Sequence, residues 1–289
     1  MNKSIRFSKS SDLNNLHEIW KQVFQSGDGD LFFEHFFVPN RCILAESDGK
    51  PVSMGFLLPV GDYTIDDTSR SCAMIYALAT LPEYRSNGFA SAIVQELIET
   101  GYNSGYNAII LCPSSDDLFD YYSQSTAFRE NFYICEKKHT TLGTCEENFT
   151  VSEASPDEYL AIRDSLLSHI PHVKMDINAI MYQSKLSKFT GGKLIKVDID
   201  GVDSCAAIEV YENGAILIKE LLTPDGYQNA ILSVIGTAFP SHEYTIRTPA
   251  KIYTDQDAHV RRFGMIATTD NIVINSYAQI APWYGFAFD

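Results

Sequence analysis

Apolar positions along the first 140 residues follow two spacings, and the alternation between them predicts the elements. Leu13, Leu16, Ile19, Trp20 and Val23 recur at helical spacing, with Ser10 or Ser11 placed to cap that helix. Gly27-Asp28-Gly29-Asp30 breaks the stripe, and a short aromatic helix through Phe32, Phe33, Phe36 and Phe37 ends at Pro39. Compact apolar runs at Ile5 to Phe7, Cys42 to Ala45, Val52 to Val60, Met74 to Leu78 and Ala108 to Cys112 predict strands. Asp48-Gly49 between two of them is a hairpin signal. Helices are expected from about Phe89 to Thr100 and from Asp116 to about Ser125, and a further strand at Phe132 to Cys135.

The second half repeats this order. Val151-Ser152 is strand-like, and Ser155-Pro156-Asp157-Glu158 has the form of a capping box with proline at the first helical position. A second helix is predicted over Ile177 to Leu186. A three-strand meander follows, at Leu194 to Ile199, Cys205 to Tyr211 and Ala215 to Leu222, with turns at Asp200-Gly201 and Asn213-Gly214. A helix from Gln228 to Ala238 leads to a strand at Tyr244 to Ile246. One α+β architecture built twice, at an offset of roughly 145–150 residues, accounts for the order. The halves are expected at 1–143 and 149–289, joined by the polar stretch Thr144 to Asn148.

Composition fits a folded protein: 289 residues, 45% hydrophobic and 20% charged. No run reaches the ~18 apolar residues of a membrane span. Met1 to Phe7 lacks the apolar stretch of a signal peptide, so a cytoplasmic location is expected. The net charge of −15 repels phosphate backbones and anionic lipid, which argues against nucleic acid and membrane partners. It favours a cationic substrate, or simply a soluble surface. The six cysteines form no C-x-x-C and mostly sit in apolar runs, as reduced thiols do. His169 and His172 flank Pro171, which suggests a loop, and have no thiol or carboxylate at ligand spacing, so no metal is expected.

The chemistry concentrates in Leu78-Ala79-Thr80-Leu81-Pro82-Glu83-Tyr84-Arg85-Ser86-Asn87-Gly88-Phe89-Ala90. A strand ends, a loop with one cation and one glycine follows, and a helix begins. Free backbone N–H groups there, with the positive end of the helix dipole, suit a diphosphate. At the corresponding place the second half reads Leu222-Thr223-Pro224-Asp225-Gly226-Tyr227-Gln228, an acid with no cation.

With its element order, this segment resembles the GCN5-related N-acetyltransferase (GNAT) family, whose pattern is Arg or Gln, two residues, Gly, any residue, Gly or Ala. Arg85-Ser86-Asn87-Gly88-Phe89-Ala90 matches each required position. The resemblance covers residues 1 to about 140. It implies two tandem GNAT-like domains, each a mixed, mostly antiparallel twisted sheet flanked by helices, the second degenerate and without a phosphate loop. It implies acetyl-CoA as donor and CoA as product. Arg85, Ser86, Asn87, Gly88, Phe89 and Ala90 would hold the diphosphate, Leu78, Ala79 and Thr80 the pantetheine arm, and Ser114 would lie beside the cofactor.

The resemblance also implies a tyrosine acid near the departing sulfur, at Tyr122 with Tyr121 as the alternative, and an acceptor site bordered by Asp28, Asp30 and Glu34. The whole chain looks like a short relative of the "enhanced intracellular survival" acetyltransferases, which would make the Asp289 carboxylate a base. The apolar tail Pro282 to Phe288 should dock rather than wave. The second half would shape the acceptor cleft or a homodimer surface. The activity implied is acetyl transfer to the primary amine of a small acceptor. A longer-chain acyl or aminoacyl transferase, or a non-catalytic CoA-binding module, are the alternatives.

Overall fold

A computed structural model describes residues 2–65, 68–143, 148–250, 259–270 and 281–288. They form two compact α+β units. The first comprises described residues 2–62, 70–130 and 264–270; the second comprises 63–65, 68–69, 131–143, 148–250, 259–263 and 281–288.

The first unit runs β1 (Lys3–Phe7), α1 (Leu13–Val23), α2 (Gly29–Phe36), β2 (Cys42–Ser47), β3 (Lys50–Ile65), β4 (Thr68–Thr80), α3 (Phe89–Asn103), β5 (Ala108–Leu111) and α4 (Asp116–Ser125). Its strands lie in the order β1-β2-β3-β4-β5. Asp48 and Gly49 both adopt positive φ, 51° and 81°, the backbone that a two-residue hairpin turn requires. Strands β4 and β5 are parallel, joined through α3. The end of a late strand, β13 (His259–Thr268), pairs antiparallel with β5 from Met265↔Leu111 to Thr268↔Ala108. Arg70 Nε on β4 fixes the residues that follow β13 by an ion pair to Asp270, 2.9 Å long. The expected serine cap of α1 is not made. Ser10–Asp12 form a 3-10 turn, and Asp12 instead takes the Lys9 N–H and the Arg6 guanidinium. A charged partner six residues upstream outweighs a neutral cap.

The second unit takes β6 (Arg129–His139) from Asn131 onward, then β7 (Phe149–Glu153), α5 (Pro156–Leu167), β8 (His172–Met175), α6 (Ile177–Phe189), β9 (Lys193–Ile199), β10 (Val202–Val210), β11 (Ile216–Leu222), α7 (Gln228–Ala238) and β12 (Tyr244–Pro249). The strand order is β6-β12-β11-β10-β9-β7, with β11 and β12 parallel. The capping box is present, with Ser155 Oγ accepting from the Glu158 N–H and Glu158 accepting from the Ser155 N–H. Ile208, Ile218, Ile231, Ile235 and Ile246 form the core beneath α7. His172, expected in a loop, opens β8, and the next residue, Val173, donates its N–H to the Trp283 carbonyl. No short-range pattern encodes a pairing across 110 residues.

The docked tail is held by a fully buried ionic cluster. Glu220 on β11 accepts from Arg163 Nε at 3.1 Å, Tyr159 OH at 2.8 Å and the Trp283 indole. Arg163 also donates to the Val173 carbonyl at 2.7 Å and the Tyr284 carbonyl at 2.9 Å. One guanidinium therefore ties α5, β8, β11 and residues 281–288 of the same unit. Arg163→Ala leaves an uncompensated buried carboxylate and is expected to cost about 3–5 kcal/mol in urea unfolding. A loss under about 1 kcal/mol would show that the cluster does not hold the tail.

Candidate active site

Strand β4 is paired with β5 only from Cys72↔Ala108 to Ile75↔Leu111. Two things end that pairing. Strand β5 stops at Leu111, and Ala77 on β4 takes φ of +49°, a left-handed kink inside a strand. From Tyr76 to Thr80 the backbone runs on beyond its pairing with β5. Its inner side is fixed by Ser53 on β3, fully buried, whose hydroxyl donates to the Ala79 carbonyl at 2.7 Å and lies 2.7 Å from the Thr80 hydroxyl.

The chain then turns through Leu81 to Asn87. Arg85 Nε donates to the Thr80 carbonyl at 3.3 Å, drawing the loop back onto the strand end. The Asn87 amide donates to the carbonyls of Tyr84 (3.2 Å) and Arg85 (3.0 Å). Ser86 and Gly88 both have positive φ, 60° and 76°. Gly88 is the N-cap of α3, and no side chain caps that helix. The first N–H groups of a helix have no intrahelical partner, so this end carries donors and the positive pole of the dipole together. A Cβ on Gly88 would meet nothing within 4 Å, so this glycine serves backbone conformation and open approach rather than packing.

Across from this turn lies α4. Tyr122 is 6% exposed and packs edge-on against Phe128. Burial pushes its phenol up to about 12. Tyr121 is 41% exposed, and its hydroxyl is hydrogen-bonded to Ser91 Oγ in the first turn of α3. Ser114 is exposed just beyond β5.

At the start of α2, Asp28 is half-buried, and its Oδ1 is shielded from solvent without a hydrogen-bond partner. Asp30 pairs with His17 at 3.1 Å, and Glu34 is exposed. Trp20 stacks on Phe32 at 4.9 Å and reaches Tyr76 of β4 at 6.3 Å, so an aromatic layer joins the α1–α2 turn to the strand. Asp289 lies outside the described residues.

The strand, the loop and the glycine-started helix all lie within residues 4–125, which match the family model of an acetyltransferase (GNAT) domain. The match covers the first unit from β1 through α4. Solved structures extend the likeness in fold. A probable N-acyltransferase from Enterococcus faecalis V583 is similar with a TM-score of 0.70 at 13% identity, over 92% of this chain and 72% of that one. A GCN5-related N-acetyltransferase from Anabaena variabilis gives 0.68 at 14%, over 92% and 72%. Eis1 from Mycobacterium abscessus gives 0.63 at 10%, over 92% and 74%. No curated protein matches the chain in sequence.

Within the GNAT domain the structure thus brings Leu78, Ala79, Thr80 and Arg85 to Ala90 onto one continuous strand–loop–helix path. Sequence reading overlooked Ala77 and Ser53. Nothing in a strand-forming stretch marks an alanine for positive φ, and a lone serine in an apolar strand carries no signal. Valine ordinarily suits a strand, yet Ala77→Val is expected to destabilise the domain by about 1–3 kcal/mol, because a β-branched side chain opposes that φ. Equal or greater stability in urea unfolding would mean that the kink is absent.

Proposed function

We propose that the GNAT domain transfers the acetyl group of acetyl-CoA to the primary amine of a small, cationic acceptor. The observation that carries this reading is the stretch of β4 beyond its pairing with β5, leading without interruption into the uncapped start of α3. An extended amide-bearing arm can bond the strand's free edge from Leu78 to Thr80. A diphosphate attached to that arm then meets the N–H groups of Asn87 to Ala90. Acyl-CoA has these two parts in this order, and the family binds acyl-CoA as its cosubstrate.

The reaction joins the amine nitrogen to the thioester carbon and breaks the carbon–sulfur bond. The chain must hold the carbonyl, accept the amine's proton through water or a side chain, and give a proton to the departing thiolate. In this reading a β4 N–H near Thr80 polarises the carbonyl. Tyr122 is the proposed acid. With its phenol pushed up to about 12, it stays protonated, and so able to donate, throughout the neutral range. Tyr121 is the alternative, more accessible but engaged with Ser91. Asp28 supports a cationic acceptor, since a shielded carboxylate oxygen lacking a partner gains one from an ammonium group.

Thiol release from acetyl-CoA, followed across polyamines, aminoglycosides and amino acids, tests the activity; no turnover with any amine contradicts it. Gly88→Glu sets a negative side chain against the diphosphate and should abolish CoA binding in calorimetry while the melting temperature stays within a few degrees. Retained affinity would remove the loop from the site. Tyr122→Phe should lower kcat by about 10²-fold or more with KM for acetyl-CoA little changed. Unchanged kcat assigns the proton to Tyr121 or water.

A further inference from the structure

The phosphate loop is short of charge. Leu78 to Ala90 contains one acid, Glu83, and one base, Arg85, within a chain of net charge −15. Arg85 spends its Nε on the Thr80 carbonyl. A second cation reaches the loop from 84 residues away in sequence. Lys3, the first residue of β1, donates from Nζ to the Asn87 carbonyl, and its ammonium stands 5.0 Å from the centroid of the Phe89 ring. Asn87 and Phe89 flank Gly88, so Nζ touches both sides of the turn that starts α3.

Lys3 is exposed, and no ion pair engages it among the described residues. An ammonium has three N–H donors. The Asn87 carbonyl takes one, leaving two beside the uncapped turn that starts α3.

Resting on the acyl-CoA reading above, we propose that Lys3 is a ligand-binding residue of the GNAT domain. It pins the phosphate loop through Asn87 and supplies the positive charge that the diphosphate of CoA needs there. Two physical effects coincide in one side chain. Bonding to the Asn87 carbonyl fixes the loop before the ligand arrives, which lowers the ordering cost of binding. A charge-assisted hydrogen bond to a phosphoryl oxygen then adds attraction that the loop's formally neutral sequence does not provide. The residue lies outside the Arg85–Ala90 motif, and strand pairing of β1 with β2, Lys3↔Ser47 to Phe7↔Ile43, sets its place.

Calorimetric CoA affinity of the full chain and of Lys3→Gln and Lys3→Arg tests this. Glutamine keeps a donor for the Asn87 carbonyl but no charge, whereas arginine keeps both. Expected are about tenfold weaker binding for Lys3→Gln, for CoA and 3′-dephospho-CoA alike, and near-normal binding for Lys3→Arg. S-acetylpantetheine, which lacks the diphosphate, should be used equally by all three. Full affinity in Lys3→Gln overturns the proposal, and a loss seen only with the 3′-phosphate present would move the charge from the diphosphate to that group. If the unaltered chain binds no CoA, the acyl-CoA reading itself fails.

Discussion

Backbone groups in a sheet must be paired, and the GNAT domain depends on a place where one strand stops pairing. Up to Ile75, β4 exchanges hydrogen bonds with β5 in the ordinary parallel manner. From Tyr76 it does not, because β5 has ended and Ala77 has turned the strand. Unpaired strand edge is costly to bury and prone to bind other backbone. A protein that retains one is using it. Here the surroundings keep it open. Ser53 holds the strand's end from within, and Arg85 folds the following loop back against Thr80. The same loop ends at Gly88, so strand edge and helix start form one surface. Each half is common in folded proteins; their continuity is what the proposed acyl-CoA site rests on.

The second unit shows the same frame applied differently. Its elements β7, α5, α6, β9, β10, β11, α7 and β12 follow the order of the first. Its helix α7 also starts without a side-chain cap, at Tyr227. The chemistry at that start differs, since Asp225 stands where the first unit has Arg85. Strand β11 carries two fully buried charges, Lys219 paired with Glu209 at 2.9 Å and Glu220 with Arg163. Buried pairs of this kind contribute modest net stability but strongly resist losing one partner. Glu220 also holds residues 281–288, through the Trp283 indole and through Arg163, which donates to the Tyr284 carbonyl.

Local pattern carried most elements. Helix α4 was legible at Asp116 to Ser125 and α7 at Gln228 to Ala238, because amphipathic spacing and flanking turn residues agree. The Asp-Gly turns at 48–49 and 200–201 were legible for the same reason, and both show the positive φ pair. What escaped is non-local. Strand β13 interrupts its apolar run with Arg261-Arg262, and its pairing with β5 links residues about 155 positions apart. Strand β8 is bonded to the tail, Val173 to Trp283, 110 positions away. In the site, the glycine and arginine of the loop were readable as types, whereas Ala77 and Lys3 act through position alone. Neither residue type announces a role; only the strand register brings Lys3 to Asn87.

Amide hydrogen exchange with and without CoA reads, one by one, the N–H groups at the end of β4 and the start of α3. Saturating CoA is expected to slow exchange at Leu78 to Thr80 and at Asn87 to Ala90 together, with little change around Gln228 in the second unit. Protection confined to the second unit, or no protection at Asn87 to Ala90 despite bound CoA, would contradict it.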